Sequence, residues 1–170
     1  MSGTPDDRLV ATPRLGEYFH HAVQDAARER RLSADDATLH YLSMLLCRYA
    51  RSEQLFDYAD RRLQLRPLAL LYREALEAGS DGERRLWLQR LGDLALFVGG
   101  LFSGRLSRHF RDLDYCMAMG GNAYGYLRQT ARRPGDRAQA AVFGELADGF
   151  DRFVDVVALA TGRSGRRLDA

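Results

Sequence analysis

The chain has 170 residues, of which 46% are hydrophobic and 28% charged, with a formal net charge of +2. That length suits one domain that buries its own core without help from disulfides or metals, and the balance is that of an ordinary folded protein rather than a disordered or collagen-like chain. So small a charge excess gives no ground to expect nucleic acid or a membrane surface as a partner.

All 25 basic residues are arginine, and neither Lys nor Ile occurs. We read this as the mark of a high-GC bacterial genome, so the arginine content is not itself evidence of phosphate binding. The excess sits in the second half, largely between Arg105 and Arg137 and in the tail at Arg163, Arg166 and Arg167. Cys47 and Cys116 lie among apolar neighbours in helical patterns, which predicts buried free thiols rather than a disulfide or metal pair. Met1 to Pro13 carries no apolar signal region, and a reducing cytoplasm is the expected setting.

Residues 1–13 are polar and turn-forming and are expected to be a flexible arm. A first helix over about 15–31 places Leu15, Phe19, Ala22, Val23 and Ala26 on one face. Ser33 can cap a second helix whose stripe is Leu39, Leu42, Leu46 and Tyr49, and the short linker predicts an antiparallel hairpin. A short element over 53–64, capped by Ser52, comes next. Pro67 then suits the start of a helix with Leu68, Leu71, Tyr72, Ala75 and Leu76 at i, i+3, i+4 spacing, stopped by Gly79.

Ser80-Asp81-Gly82-Glu83 has the form of a capping box. It opens a fifth helix, expected to reach about Phe102 before Ser103-Gly104. A sixth over 108–132, capped by Ser107, closes at Pro134-Gly135. One last helix from Asp136 to Thr161 carries Val142, Leu146, Phe150, Phe153 and Val157, ends at Gly162, and leaves 163–170 as a basic flexible tail. No alternating strand pattern occurs. The expected fold is all-α, a single-domain orthogonal or antiparallel bundle of six to seven helices spanning residues 14–162.

The stretch Leu91 to Phe102 is apolar on nearly every side, which marks a helix surrounded by other helices. Its uninterrupted apolar part, Leu94 to Phe102, is far short of the roughly 20 residues a membrane span needs. Glycines cost a helix about 1 kcal/mol each relative to alanine, so a close backbone approach should offset them. We expect close packing between this helix and the next through Gly99, Gly100, Gly121 and Gly125, with Gly99 or Gly100 near Gly121. Asp93 needs a partner among these leucines. An arginine or a tyrosine hydroxyl would make it structural, and a ligand-anchoring or acid/base carboxylate is the alternative.

The pattern Leu-Gly-Asp-x-x-Leu-Phe-x-x-Gly-x-Phe at Leu91 to Phe102, followed by Tyr115, Met119-Gly120 and Ala123-Tyr124, resembles a family of predominantly helical bacterial proteins. The resemblance covers about residues 85–127. It implies a family and no particular activity.

No complete catalytic or cofactor signature is present. Glu17 and His20 have the Glu-x-x-His spacing of di-iron bundles, but the second motif such sites need is missing. Asp36 and His40 could clip a metal, yet the predicted hairpin puts them at the opposite end from His20 and His21. His109 reads as an exposed residue. Gly120 to Gly125 follows no strand and lacks Gly-Lys-Ser/Thr, so it is not a nucleotide loop, and no nucleophile elbow exists. Arg128, Arg132 and Arg133 read as solvated surface at a helix end.

We therefore expect a non-enzymatic cytoplasmic module that acts through protein contacts, with a protein partner or itself as a homo-oligomer, and without metal, cofactor, membrane or nucleic acid. The alternative is a small-ligand sensor or carrier whose pocket lies between the 83–102 and 108–132 helices, lined by Asp93, Phe97, Tyr115, Met119 and Tyr124.

Overall fold

The computed structural model describes residues 7–51, 66–106 and 110–168. Within them the chain is all-α, with seven helices: α1 (Asp7–Glu29), α2 (Asp36–Ala50), α3 (Arg66–Glu77), α4 (Asp81–Leu106), α5 (Phe110–Gln129), α6 (Pro134–Asp148) and α7 (Phe150–Leu168). The expected element at 53–64 with its Ser52 cap, the Ser107 cap and His109 lie outside the described residues.

α4 is the axis, packed against α2, α3, α5 and α7. Its sequence explains why: Leu91, Ala95, Leu96 and Phe97 are buried along with Gly92, Asp93, Gly99 and Gly100, so the helix has almost no solvent face over three turns. α5 and α7 flank it, α6 covers α5 and reaches α2 and α7, and α1 closes the bundle against α2 and α7. One continuous core results, drawn from all seven helices. None is long and apolar enough to cross a membrane.

Three boundaries differ from the sequence reading. α1 begins at Asp7 and α7 runs to Leu168, so Pro13 and Gly162 interrupt neither helix, and the arm and tail expected at 1–13 and 163–170 are largely helical where described. A single proline removes only one i→i−4 bond, and Gly162, with open space around it, weakens a helix without ending it. Nor does Ser103 stop α4: the helix runs through it to Leu106, with the Ser103 hydroxyl donating back to the Gly100 carbonyl (3.2 Å).

The expected last helix is in fact two, broken at Gly149 (φ −114°, ψ 28°). Periodicity could not reveal this. The Gly149 N–H still donates to the Glu145 carbonyl and the Phe153 N–H to the Gly149 carbonyl, both 3.0 Å, so the stripe through Leu146, Phe150, Phe153 and Val157 keeps its spacing across the break.

The α1–α2 connection runs over residues 30–35, longer than the linker between the expected helix end near 31 and the Ser33 cap, and is set by a Schellman motif. Leu32 N–H reaches the Ala27 carbonyl (2.9 Å) and Arg31 N–H the Arg28 carbonyl (3.0 Å). Arg31 occupies the left-handed position, φ 53°, where glycine is usual. The Cys47 thiol lies 3.7 Å from the Leu15 carbonyl, so the two helices run antiparallel as expected. Asp35, not Ser33, is the N-cap of α2, and its N–H donates to the Glu145 carboxylate (3.2 Å to each oxygen). A negative group from α6 thereby sits at the positive end of α2.

The capping box forms in a modified way. Ser80 Oγ accepts the Glu83 N–H, while the Glu83 carboxylate accepts the Gly79 N–H rather than that of Ser80, each at 3.2 Å.

Candidate functional site

Asp93 is fully buried and joins three helices. Its Oδ1 accepts hydrogen bonds from the hydroxyls of Tyr41 on α2 and Tyr124 on α5, both 2.7 Å, and its Oδ2 accepts one from the Arg48 guanidinium at 3.2 Å. Gln89, one turn earlier on α4, donates to the Tyr41 hydroxyl (3.0 Å). Burial pushes the Asp93 carboxyl above the usual carboxylate range, against the pull of Tyr41, Tyr124 and Arg48. Burial, and then the adjacent Asp93, raise the Tyr41, Tyr49 and Tyr124 hydroxyls well above their ordinary value.

The cluster accounts for the residue spacing around it. Tyr124 has its ring against Gly92: a Cβ there would stand 2.7 Å from its Cε1. On its other side the ring stacks on Phe143 at 5.7 Å and 16°. Phe97 stacks on Tyr49 of α2 at 4.6 Å. Gly92 thus admits the ring whose hydroxyl holds Asp93, and Phe97 repeats the α2 contact one turn on.

The glycines behave differently from expectation. α4 and α5 do pack together, but a Cβ on Gly99 would meet Val154 (3.4 Å), and one on Gly100 would meet Val157 and the Ala158 backbone N (3.2 Å). Both glycines therefore face α7, not Gly121. Gly121 has only the Phe150 Cβ nearby at 3.9 Å, and Gly125 has open space. The α4–α5 contact is made instead by Gly92 under Tyr124 and by Gly120, where a Cβ would meet Phe150 and stand 2.9 Å from the Ala95 Cβ. The reason is axial. Gly99 lies almost two full turns beyond Gly92 and so on nearly the same face, but further along the axis that face meets Val154 of α7 instead of Tyr124 of α5.

Gly92→Ala is expected to lose about 2–3 kcal/mol of stability by overpacking, despite the roughly 1 kcal/mol by which alanine is the better helix former. Gly125→Ala, in open space, should instead gain up to about 1 kcal/mol. Urea denaturation of both variants checks this, and a stabilised Gly92→Ala would show that Tyr124 moves aside freely.

None of the five proposed pocket residues is among those that wall the cavity described below. Asp93, Phe97 and Tyr124 are buried in the core, Met119 packs against its edge, and Tyr115 is exposed. The space between α4 and α5 at Asp93 is filled by side chains. Tyr41, Arg48 and Gln89 are the residues that sequence reasoning missed. Two signals could have found them: Gln89 precedes Asp93 by one turn, and Tyr41 and Arg48 are two turns apart on α2.

A cavity does exist between the same two helices, at the end away from Gly99 and Gly100. It measures about 280 Å³ and is walled by the first turns of α4 (Asp81, Arg85, Leu86, Gln89), the end of α5 (Tyr126, Leu127, Thr130) and the start of α6 (Arg132, Arg133, Asp136, Gln139, Phe143). Arg85 is fixed in its wall by hydrogen bonds to Thr130 Oγ1 (2.6 Å) and the Leu127 carbonyl (3.0 Å) and by Asp136 at 3.5 Å.

Of the arginines grouped at the end of α5, Arg128 is committed to Asp148 (2.9 Å) with its stem laid over Gly144. Both cysteines are buried and neither is in a disulfide, as expected. Among the described residues no three His, Cys, Asp or Glu side chains come together as a metal site. Compared with protein-family models, curated proteins and solved structures, the chain matches none.

Proposed function

We propose that the protein is a non-enzymatic helical module that acts through protein contacts and associates with a second copy of itself through the outer flank of α3. The observation that carries this reading is an apolar stripe wider than its cover. Leu68 and Ala75 of α3 are buried, but Tyr72 and Leu76, one turn apart on the adjoining flank, are 44% and 61% exposed. Single exposed apolar side chains are ordinary; two neighbours continuing a buried stripe form an unfinished face.

The non-enzymatic part is supported by Asp93, the sharpest candidate for chemistry, being sealed from solvent and occupied by three donors. Two cysteines outside any disulfide support a reducing cytoplasm, and the lysine-free composition supports a bacterial origin.

Size-exclusion chromatography with light scattering tests the reading. A dimer at micromolar concentration that Leu76→Glu returns to monomer is the expected result. A wild-type monomer at that concentration removes self-association, and a dimer indifferent to Leu76→Glu moves the interface elsewhere.

A further inference from the structure

The cavity at the head of α4 differs from a surface dent in that its walls are already held in place. Arg85 is only 12% exposed in its side chain and is clamped by two hydrogen bonds and an ion pair. Gln89 is tied through the Tyr41 hydroxyl to Asp93, and Phe143 is stacked on Tyr124 and set edge-on to Tyr41 at 5.7 Å. A ligand entering such a site does not have to order it first, which is where much binding energy is otherwise lost.

The charge around the cavity is not balanced. Asp136 faces Arg85 at 3.5 Å and Asp81 faces Arg84 at 3.6 Å. Arg132 and Arg133 remain, both exposed at the rim and without an ion pair among the described residues. They stand at the start of α6, where the helix dipole adds positive potential. The apolar part of the lining is Leu86, Leu127 and Phe143. The volume is just under the roughly 300 Å³ at which pockets for drug-sized ligands begin, so the occupant is small.

We propose that this cavity binds a small organic anion, a carboxylate or phosphate ester on a compact apolar body, with Arg132 and Arg133 holding the charged group and Leu86, Leu127 and Phe143 covering the body. This goes beyond the self-association reading, since none of the lining residues lies on α3.

The full-length chain is titrated with benzoate, phenyl phosphate and uncharged benzyl alcohol by calorimetry, with amide NMR shifts to locate binding. One-site binding of benzoate or phenyl phosphate is expected, with shifts confined to residues 81–89 and 126–143, and the tighter of the two identifies the head group. The double variant Arg132→Gln/Arg133→Gln, altered only at exposed positions, should weaken binding about tenfold or more. Gln139→Trp should block it by filling the cavity from an exposed position. Four results would overturn the proposal: no binding of either anion at millimolar concentration, equal binding of benzyl alcohol, unchanged affinity in the double variant, or tighter binding of a short single-stranded oligonucleotide than of both anions, which would mark a basic surface.

Discussion

Asp93→Ala should cost about 3–5 kcal/mol of folding stability, a large share of the 5–15 kcal/mol that a domain possesses. The carboxylate is the common acceptor for Tyr41, Tyr124 and Arg48. Removing it leaves the fully buried Tyr124 hydroxyl and the largely buried Tyr41 hydroxyl without that partner, at about 1–3 kcal/mol each. Arg48, with 56% of its side chain exposed, turns to water and adds little.

Asp93→Asn is the informative control. Its amide oxygen can still accept from both tyrosines, so it should lose only about 1–2 kcal/mol. Guanidinium denaturation, read as a shift in midpoint at unchanged slope, measures both. If Asp93→Ala stayed within about 1 kcal/mol of wild type, Asp93 would not be the anchor of α2, α4 and α5.

The second large effect is alkaline unfolding. Burial, and then the neighbouring Asp93, raise the hydroxyls of Tyr41, Tyr49 and Tyr124 far above their ordinary value. In the unfolded chain these groups ionise near pH 10, while in the folded chain they keep their protons. Above that pH the folded state holds more protons than the unfolded state, so stability falls as pH rises. The contribution is whole below about pH 10 and is lost above it, by about 1.4 kcal/mol per pH unit for each tyrosine. Together the three predict a loss of about 4 kcal/mol per pH unit beyond pH 10. Denaturation midpoints from pH 8 to 11 check this, and Tyr49→Phe should flatten the slope by about one third. A flat profile to pH 11 would mean that the hydroxyls ionise in the native state.

These expectations follow from residues that local pattern only half exposes. The helices were legible because all but α4 carry a 3.6-residue apolar period and most carry punctuation, as with Ser80 and Glu83 before α4. The burial of α4 was equally legible, since a helix apolar on nearly all sides has nowhere to go but the centre. Asp93 could be singled out as a carboxylate in need of a partner, and the two partner types expected, arginine and tyrosine hydroxyl, are the two found. Which arginine and which tyrosines could not be read. Arg48 lies 45 positions away, and Tyr41 and Tyr124 lie 52 and 31 away, distances over which no helical period carries information.

Amphipathic spacing, capping and composition alone determined that this chain is an all-α bundle wound around the helix read at residues 83–102, with a buried acid at its heart, because those are properties of one helix at a time. Only the tertiary structure decided which helix each glycine faces, that the space beside Asp93 is filled, and that the open cavity lies at the head of α4 beneath Arg132 and Arg133. Those depend on the rotation and crossing of helices around an axis that is apolar on every side, and such an axis leaves its neighbours' places to be settled by packing.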